Sequence, residues 1–212
     1  MNYKKVDIEK YYRKGVFNRF KNVKCSTSIT ARIDVTDLYK KSKATNTKFH
    51  INFLYILAKV LNSREDYRMG YLRESDEVVC YDKLGVCHYL FHEDTETCSV
   101  VYTDYDPDYK TFYDRCHEDI ERGKQTHEYG LDQANHPNFF EASYISWISY
   151  DSLNLELPDG YLYFLPLINW GRFREENGRL MMPLTVRMNH CVGDGYHISM
   201  VYKLLEKEIA NF

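Results

Sequence analysis

A His-x-x-x-Asp-Gly stretch near the end of the chain, residues 190–195, sets a histidine, a carboxylate and a glycine on one short connection. The imidazole of His190 can take a proton from a hydroxyl near neutral pH and is therefore a candidate general base. The carboxylate of Asp194 can hold the connection through an ion pair, and Gly195 allows backbone geometry that a side chain forbids. Asp-Gly is also a common turn pair, so the stretch alone indicates an ordinary turn about as strongly as a catalytic loop.

The elements predicted around this stretch are a strand before it and a helix after it. Residues 179–189 are typical of a strand, and the apolar residues of 196–210 recur at helical spacing. Asn177 and Gly178 predict a two-residue hairpin just before that strand. The other predicted elements are helices at 8–22, 47–62 (capped by Thr47) and 107–124, strands at 26–34, 140–148 and 161–170, several short strands within 70–104, and a loop at 125–138.

The order of these elements predicts the fold class. Strands and helices alternate irregularly, without the regular β-α-β repeat of a parallel sheet, and no linker or internal repeat divides the chain. This pattern predicts one α+β domain over residues 1–212, with two layers: a large, mainly antiparallel or mixed sheet and helices packed on it. The glycine patterns of dinucleotide-binding and P-loop folds are absent, so nothing supports nucleotide-dependent redox or phosphoryl chemistry.

Composition and charge exclude several classes of function. The formal net charge of −3 gives no basic excess for nucleic acid, and the apolar runs are too short to span a membrane. The N-terminus leads into charged sequence rather than a signal peptide, which predicts a cytoplasmic protein with reduced thiols. None of the six cysteines forms a C-x-x-C pair, so no metal site is expected. Five histidines without ligand spacing are interpreted as surface or hydrogen-bonded residues: His88, His92, His117, His127 and His136.

Four segments together resemble the type A chloramphenicol acetyltransferases in order and spacing. They are Lys48-Phe49, FHEDTET at 91–97, SYISW at 143–147, and the terminal stretch from His190 through His197. The combination is specific, whereas the His-x-x-x-Asp-Gly piece alone is shared by CoA-dependent acyltransferases in general. The resemblance implies a homotrimer with active sites at subunit interfaces. It also implies acetyl transfer from acetyl-CoA, a co-substrate rather than a permanently bound cofactor, to the 3-hydroxyl of chloramphenicol, which gives antibiotic resistance.

The same resemblance implies roles for individual residues. His190 matches the general base, held through one ring nitrogen by a backbone carbonyl, and Ser143 matches the donor to the tetrahedral oxyanion. Asp194 and Arg13 match a structural ion pair. The residues at the positions of the acceptor pocket are Phe20, Cys25, Cys98, Leu153, Leu155 and Asn169. Those at the CoA positions are Lys48, His50, Trp147 and Phe173.

Several of these positions depart from the usual residues of the family. Cys98 and Leu153 replace phenylalanines and Asn169 replaces a threonine, while Phe20, His50 and Phe173 stand where tyrosines are usual; Asn189 and Gly193 also differ. Losing buried aromatic area costs ligand contact unless the gap is refilled. Three alternatives therefore stay open. The acceptor is a different hydrophobic alcohol, or the chain is a dihydrolipoyl acyltransferase core, which predicts lipoyl and linker regions before the core, whereas this sequence begins directly at the core. The third is a non-catalytic trimer that binds a small molecule.

Overall fold

Strands and helices alternate along the residues that the computed structural model describes, which are 2–127, 129–130, 136–156 and 162–212. The strands are β1 Tyr3–Lys5, β2 Ser26–Asp34, β3 Met69–Leu72, β4 Glu77–Tyr81, β5 Gly85–His92, β6 Thr97–Thr103, β7 Phe139–Ile145, β8 Leu167–Gly171, β9 Arg174–Glu176 and β10 Arg179–Asn189. The α-helices are α1 Lys14–Val23, α2 Thr36–Ala44, α3 Phe49–Asn62, α4 Tyr109–Gly123 and α5 Gly195–Asn211.

One large sheet carries most of these strands. Its order is β2-β10-β8-β7-β5-β6, and β9 also pairs with β10. The β5–β7 and β7–β8 pairs are parallel and the other pairs are antiparallel, so the sheet is mixed. A second, three-stranded antiparallel sheet has the order β1-β4-β3. The α+β class with a large mixed sheet is thus confirmed.

The hydrophobic core lies between one face of the large sheet and the helices. Nearly every side of α3 is buried, because its sequence is apolar on most faces. Its buried polar residue Asn52 donates to Ser42 and Thr47 and accepts from the Tyr109 hydroxyl, so it is satisfied. From the sheet, Trp170 packs edge-on against Phe53 with ring centroids 5.1 Å apart.

The opposite face of the sheet carries a row of polar residues. Strand pairing aligns Ser143 with Asn169, Asn169 with Thr185, and Thr185 with Thr30. Their neighbours along the strands, such as Ala142, belong to the core. Because successive side chains in a strand point to opposite faces, this row lies on the face away from α3.

Elements with strong local signals match the prediction. The 26–34 and 179–189 strands have the predicted bounds. The hairpin at Asn177 and Gly178 is confirmed, with φ values of 52° and 77° that suit a two-residue turn. The Tyr109–Gly123 helix also lies where one was predicted, and the Asp108 side chain caps it by accepting from the Thr111 N–H.

Other predicted bounds were wrong. The first helix begins at Lys14 rather than residue 8, because 8–10 form a short 3-10 turn and Tyr11 is extended. Thr47 does not cap α3; Lys48 holds that position, and the Thr47 hydroxyl accepts from Asn52 instead. The 140–148 strand ends at Ile145. The 161–170 strand is confined to Leu167–Gly171, with residue 161 outside the described part.

Helix α2 and the three-residue strands β1 and β9 were missed, and the 125–138 loop is described only in part. Helix α2 was missed because lysines dominate its sequence and leave a weak apolar stripe, and the three residues of β1 are too few to show alternation. Residues 128 and 131–135 of the predicted loop lie outside the described residues. Among the described residues, no helix has the length and apolar character needed to cross a bilayer.

Candidate active site

The His190 loop is built directly on the end of β10. The pairing of β10 with β2 reaches Asn189 opposite Ser26, and the His190 N–H then donates to the Cys25 carbonyl at 3.0 Å. The N–H groups of residues 192 and 193 both donate to the Asn189 carbonyl, at 3.1 and 3.0 Å, so the chain turns tightly. Helix α5 then begins, with the Asp194 side chain accepting from the backbone N–H of residue 196.

The ring of His190 is oriented by stacking. It lies parallel to the Phe20 ring of α1, with centroids 3.9 Å apart and an angle of 2° between the planes. Its Nδ1 atom is buried and has no hydrogen-bond partner among the described residues, so the backbone carbonyl expected for one ring nitrogen is not found there. Since Nδ1 is the buried nitrogen of a half-buried side chain, Nε2 is the nitrogen available to a substrate.

A buried ion pair holds this loop to the start of α1. Arg13 Nη1 donates to Asp194 Oδ2 at 2.6 Å, and only 8% of Arg13 is exposed. The other terminal nitrogen of Arg13 donates to the His190 carbonyl at 3.4 Å. Partial burial opposes ionisation of Asp194, but hydrogen bonds from Arg13 and His197 outweigh it and hold its pKa well below the ordinary value. The structure thus brings Arg13, Asp194 and His190 together.

The ion pair continues into a network that the sequence analysis did not predict. His197, which is 4% exposed, places Nδ1 2.9 Å from Asp194 Oδ1 and Nε2 2.9 Å from the Tyr12 hydroxyl. Tyr12 in turn donates to Asp66 Oδ1 at 2.9 Å. The only sequence signal was His197, three residues after Asp194 on the same helical face. The network ties the His190 loop to the Glu65–Arg68 turn, which precedes β3.

Ser143 lies on the face of the large sheet that points away from α3. Its hydroxyl has no hydrogen-bond partner among the described residues. In its row, the Thr185 and Thr30 hydroxyls bond to each other at 2.8 Å, and Thr185 also donates to Tyr150 at 3.3 Å. Tyr150 in turn donates to the Asn169 carbonyl at 2.8 Å. The hydroxyl of half-buried Ser143 makes no hydrogen bond to the described residues, so it is free to donate to a ligand.

Ser143 and His190 are far apart within one chain. Ser143 is level with Thr185 of β10, and His190 follows Thr185 by five residues. Five residues of strand span roughly 16 Å and two strand spacings add roughly 10 Å at right angles, which gives roughly 19 Å between the Cα atoms. The candidate base and the candidate oxyanion donor of one chain therefore cannot act on the same substrate.

The predicted acceptor-pocket residues also fall into groups, one near His190 and another on the sheet face that carries Ser143. Phe20 and Cys25 contact His190 directly. Asn169 pairs with Ser143 across the sheet. Cys98 of β6 pairs with Phe91 of β5, on the same sheet face as Ser143. The remaining two residues belong to the loop after β7, where Leu153 is half-buried and Leu155 exposed.

The residues predicted to bind CoA lie around the start of α3. Lys48 is exposed, and Phe173 packs edge-on against Phe49 with centroids 6.0 Å apart. Next on α3, His50 lies 5.7 Å from the Trp170 ring, and burial lowers its pKa to about 4. Trp147, 57% exposed, packs edge-on against Phe91 at 4.7 Å.

Two arginines that the sequence analysis did not single out line the space between Trp147 and Phe173. The cavity there has a volume of about 380 Å³ and is also lined by Arg172 and Arg174. Guanidinium groups recognise phosphate through paired N–H donors, so this cavity combines aromatic surface with phosphate-binding groups. The only sequence signal was their position on either side of Phe173.

Comparison with known proteins identifies the family. The sequence model of the chloramphenicol acetyltransferase family matches residues 1–206. A chloramphenicol acetyltransferase of Campylobacter coli is 32% identical over 201 residues, covering 93% of this chain and 94% of that protein. One of Staphylococcus aureus is 30% identical over 207 residues, covering 98% and 95%.

Solved structures agree in fold. A chloramphenicol acetyltransferase structure superposes with a TM-score of 0.88 at 23% identity, covering 98% of this chain and 100% of that one. A dihydrolipoamide acetyltransferase of Azotobacter vinelandii gives a TM-score of 0.66 at 13% identity, with 93% and 86% covered. From its family match and its full-length relatives, the chain belongs to the chloramphenicol acetyltransferase family.

Proposed function

We propose that this single-domain protein is an acetyl-CoA-dependent O-acetyltransferase that acetylates the 3-hydroxyl of chloramphenicol in the cytoplasm and so gives resistance to the drug. The observation that carries this proposal is the His190 loop. Its imidazole is stacked on Phe20, buried at Nδ1 and held from behind by the Arg13–Asp194 ion pair. Membership of the family supports the acyl-transfer chemistry and the acceptor.

His190 acts as the general base in this reaction. An alcohol is too weak an acid to attack a thioester unaided, so Nε2 of His190 takes the hydroxyl proton as the oxygen bonds to the acetyl carbonyl carbon. The Ser143 hydroxyl donates to the oxyanion of the tetrahedral intermediate. The intermediate then expels the CoA thiolate, and the imidazolium returns its proton to that sulfur, which regenerates neutral His190.

This chemistry requires two copies of the chain. Roughly 19 Å separates His190 from Ser143 within one chain by the strand geometry, so the base of one copy must meet the donor of another. We propose the homotrimer of the family, with each active site at a subunit interface. Phe91 and Trp147, which are exposed and pack against each other, supply apolar surface for that contact.

The CoA phosphates and pantetheine lie along the residues around the start of α3. Lys48, Arg172 and Arg174 supply positive charge, while Trp147 and Phe173 supply aromatic surface beside it. Acetyl-CoA is bound as a co-substrate, and the mechanism uses no permanently bound cofactor. Conversion of either arginine to glutamine should raise the KM for acetyl-CoA more than that for the acceptor.

A second candidate acceptor is another hydrophobic alcohol. Cys98, Leu153 and Asn169 give the pocket less aromatic area than the usual family residues, which favours an acceptor with less aromatic surface than chloramphenicol. The family match, which is to chloramphenicol acetyltransferases, disfavours a dihydrolipoyl acceptor. A protein that only binds a small molecule needs neither His190 nor Ser143, which disfavours a non-catalytic role.

The test is to incubate the protein with acetyl-CoA and chloramphenicol and to detect the acetylated drug by mass spectrometry. We expect product with the native protein and with His117→Ala, a control for loss of a histidine on α4, and none with His190→Ala. If the folded protein binds acetyl-CoA but makes no product, chloramphenicol is not the acceptor, and a panel of hydrophobic alcohols then separates the two candidates. Product from His190→Ala at the native rate would refute His190 as the base.

A further inference from the structure

Three potential metal ligands converge at the tip of the β5–β6 hairpin. They are His92, the last residue of β5, Asp94 in the turn that follows it, and His127 beyond the end of α4. One ligand atom from each lies within 4.8 Å of the other two. The His92 and His127 rings lie 4.2 Å apart with 33° between their planes.

A buried serine sets the orientation of His92. The fully buried Ser99 hydroxyl has one hydrogen, and it donates this hydrogen to the Gly123 carbonyl at 3.2 Å. His92 Nε2 lies 2.9 Å from the same oxygen, so while that hydrogen points to Gly123 it is Nε2 that donates to Ser99. In that tautomer the lone pair of His92 lies on Nδ1. This is the arrangement of metal-bound histidines, whose second nitrogen donates to a neighbouring acceptor.

The other two residues already have the spacing of ligands around one ion. His127 Nε2 lies 3.2 and 3.1 Å from the two Asp94 carboxylate oxygens. Tetrahedral ligands about 2.0–2.1 Å from a zinc ion are separated by about 3.3 Å. A hydrogen-bonded pair has a similar spacing, so it is the third group, His92, that distinguishes a metal site from a surface His–Asp pair.

We propose that His92, Asp94 and His127 bind one divalent transition metal ion, with zinc as the best fit to two imidazoles and a carboxylate. A water molecule completes the coordination, because the chain supplies three ligands. The sequence could not predict this site, since His127 is separated from Asp94 by 33 residues and only the packing of α4 on β6 brings them together.

The bound ion joins the hairpin to the segment after α4. Phe91 precedes His92 and points to the opposite sheet face, where it contacts Trp147 and lies across from Cys98. The ion therefore stabilises the strand ends that carry Cys98 and the Phe91 ring against which Trp147 packs. Metal binding itself does not depend on the proposed acetyl transfer.

The test is equilibrium dialysis of zinc against the full-length protein, with cobalt absorption spectra as a readout of coordination. The variants are His127→Ala and Asp94→Asn, both exposed positions, with His117→Ala as the matched control. Because six thiols can also bind zinc, the measured quantity is the difference in tight zinc equivalents between variants. Circular dichroism establishes that each variant is folded.

We expect the native protein and His117→Ala to bind one more tight equivalent than His127→Ala, and Asp94→Asn to bind it at least tenfold more weakly. Zinc should also raise the melting temperature of the native protein and of the control, but not that of His127→Ala. Equal stoichiometry and affinity in all four proteins would overturn the proposal and leave only a surface His–Asp pair.

Discussion

Breaking the ion pair behind His190 should cost about 3 kcal/mol of stability, and Asp194→Asn tests this. Asparagine keeps the size of the side chain and still caps a helix, so the substitution mainly removes the charge. Arg13 is only 8% exposed, and the substitution leaves its guanidinium without a charged partner. Its Nε atom already has no hydrogen-bond partner among the described residues. Removing one partner of a buried pair costs about 3–5 kcal/mol. Because 33% of the Asp194 side chain is exposed, we expect the lower end, about 3 kcal/mol.

A loss of this size is readily measured. At about 2–4 °C per kcal/mol, it lowers the melting temperature by roughly 6–12 °C at equal protein concentration. The matched control is Asp151→Asn. Asp151 also lies 2.6 Å from an arginine, Arg32, but 79% of the Asp151 side chain and 41% of the Arg32 side chain are exposed. We expect the control to lose less than about 1 kcal/mol. A loss in Asp194→Asn no larger than that of the control would refute the reasoning.

The pH dependence gives a second check on the same pair. The pKa of Asp194 is lower in the folded than in the unfolded chain, so its contribution is fully present above the ordinary value of 3.8 and is lost as the pH falls below it. The stability difference between the native protein and Asp194→Asn should be constant from pH 7 to pH 5 and shrink from pH 4 downward. Urea unfolding across this range measures it, and a difference that grows on acidification would contradict the assignment.

Three further side chains, two in the site and one in the core, have testable roles. Ser143→Ala should lower kcat about 10²–10³-fold with KM for acetyl-CoA changed little, as steady-state kinetics would show; an unchanged kcat would remove Ser143 as the oxyanion donor. Phe20→Ala removes the ring stacked on His190 and should lower kcat by up to about 100-fold, with recovery in Phe20→Tyr. Burial lowers the pKa of His88 to about 3, so below about pH 6.5 the histidine binds a proton in the unfolded chain but not in the folded one, and stability falls. His88→Leu should therefore flatten the pH dependence of the free energy of unfolding from pH 6.5 downward. An unchanged slope would contradict this.

Locally encoded elements could be predicted from the sequence. The turn at Asn177 and Gly178 needs two positive φ values, and these residue types supply them without help from the rest of the fold. The 14 residues of α3 are apolar on most faces and could only be buried. By contrast, α2 buries mainly Leu38 and Ser42, so its helical state depends on tertiary packing that the sequence pattern does not reveal.

The candidate site could be predicted as a set of residues but not as a geometry. The motif gives His190 and the family resemblance gives Ser143, but their separation follows from the register of β7, β8 and β10, which no local pattern fixes. For the same reason, the link from Asp194 through His197 to Tyr12 was missed, since Tyr12 is separated from His197 by 185 residues. Tertiary pairing of distant segments brings these groups together.

We propose that one active site combines His190 of one copy with Ser143 of another. The direct test is to unfold and refold His190→Ala and Ser143→Ala together in equal amounts and to measure chloramphenicol acetylation. Random assembly pairs an intact His190 with an intact Ser143 in about one quarter of the sites, so activity should rise to about 25% of the native level. Activity that stays at the average of the two separately refolded variants would contradict a site shared between chains.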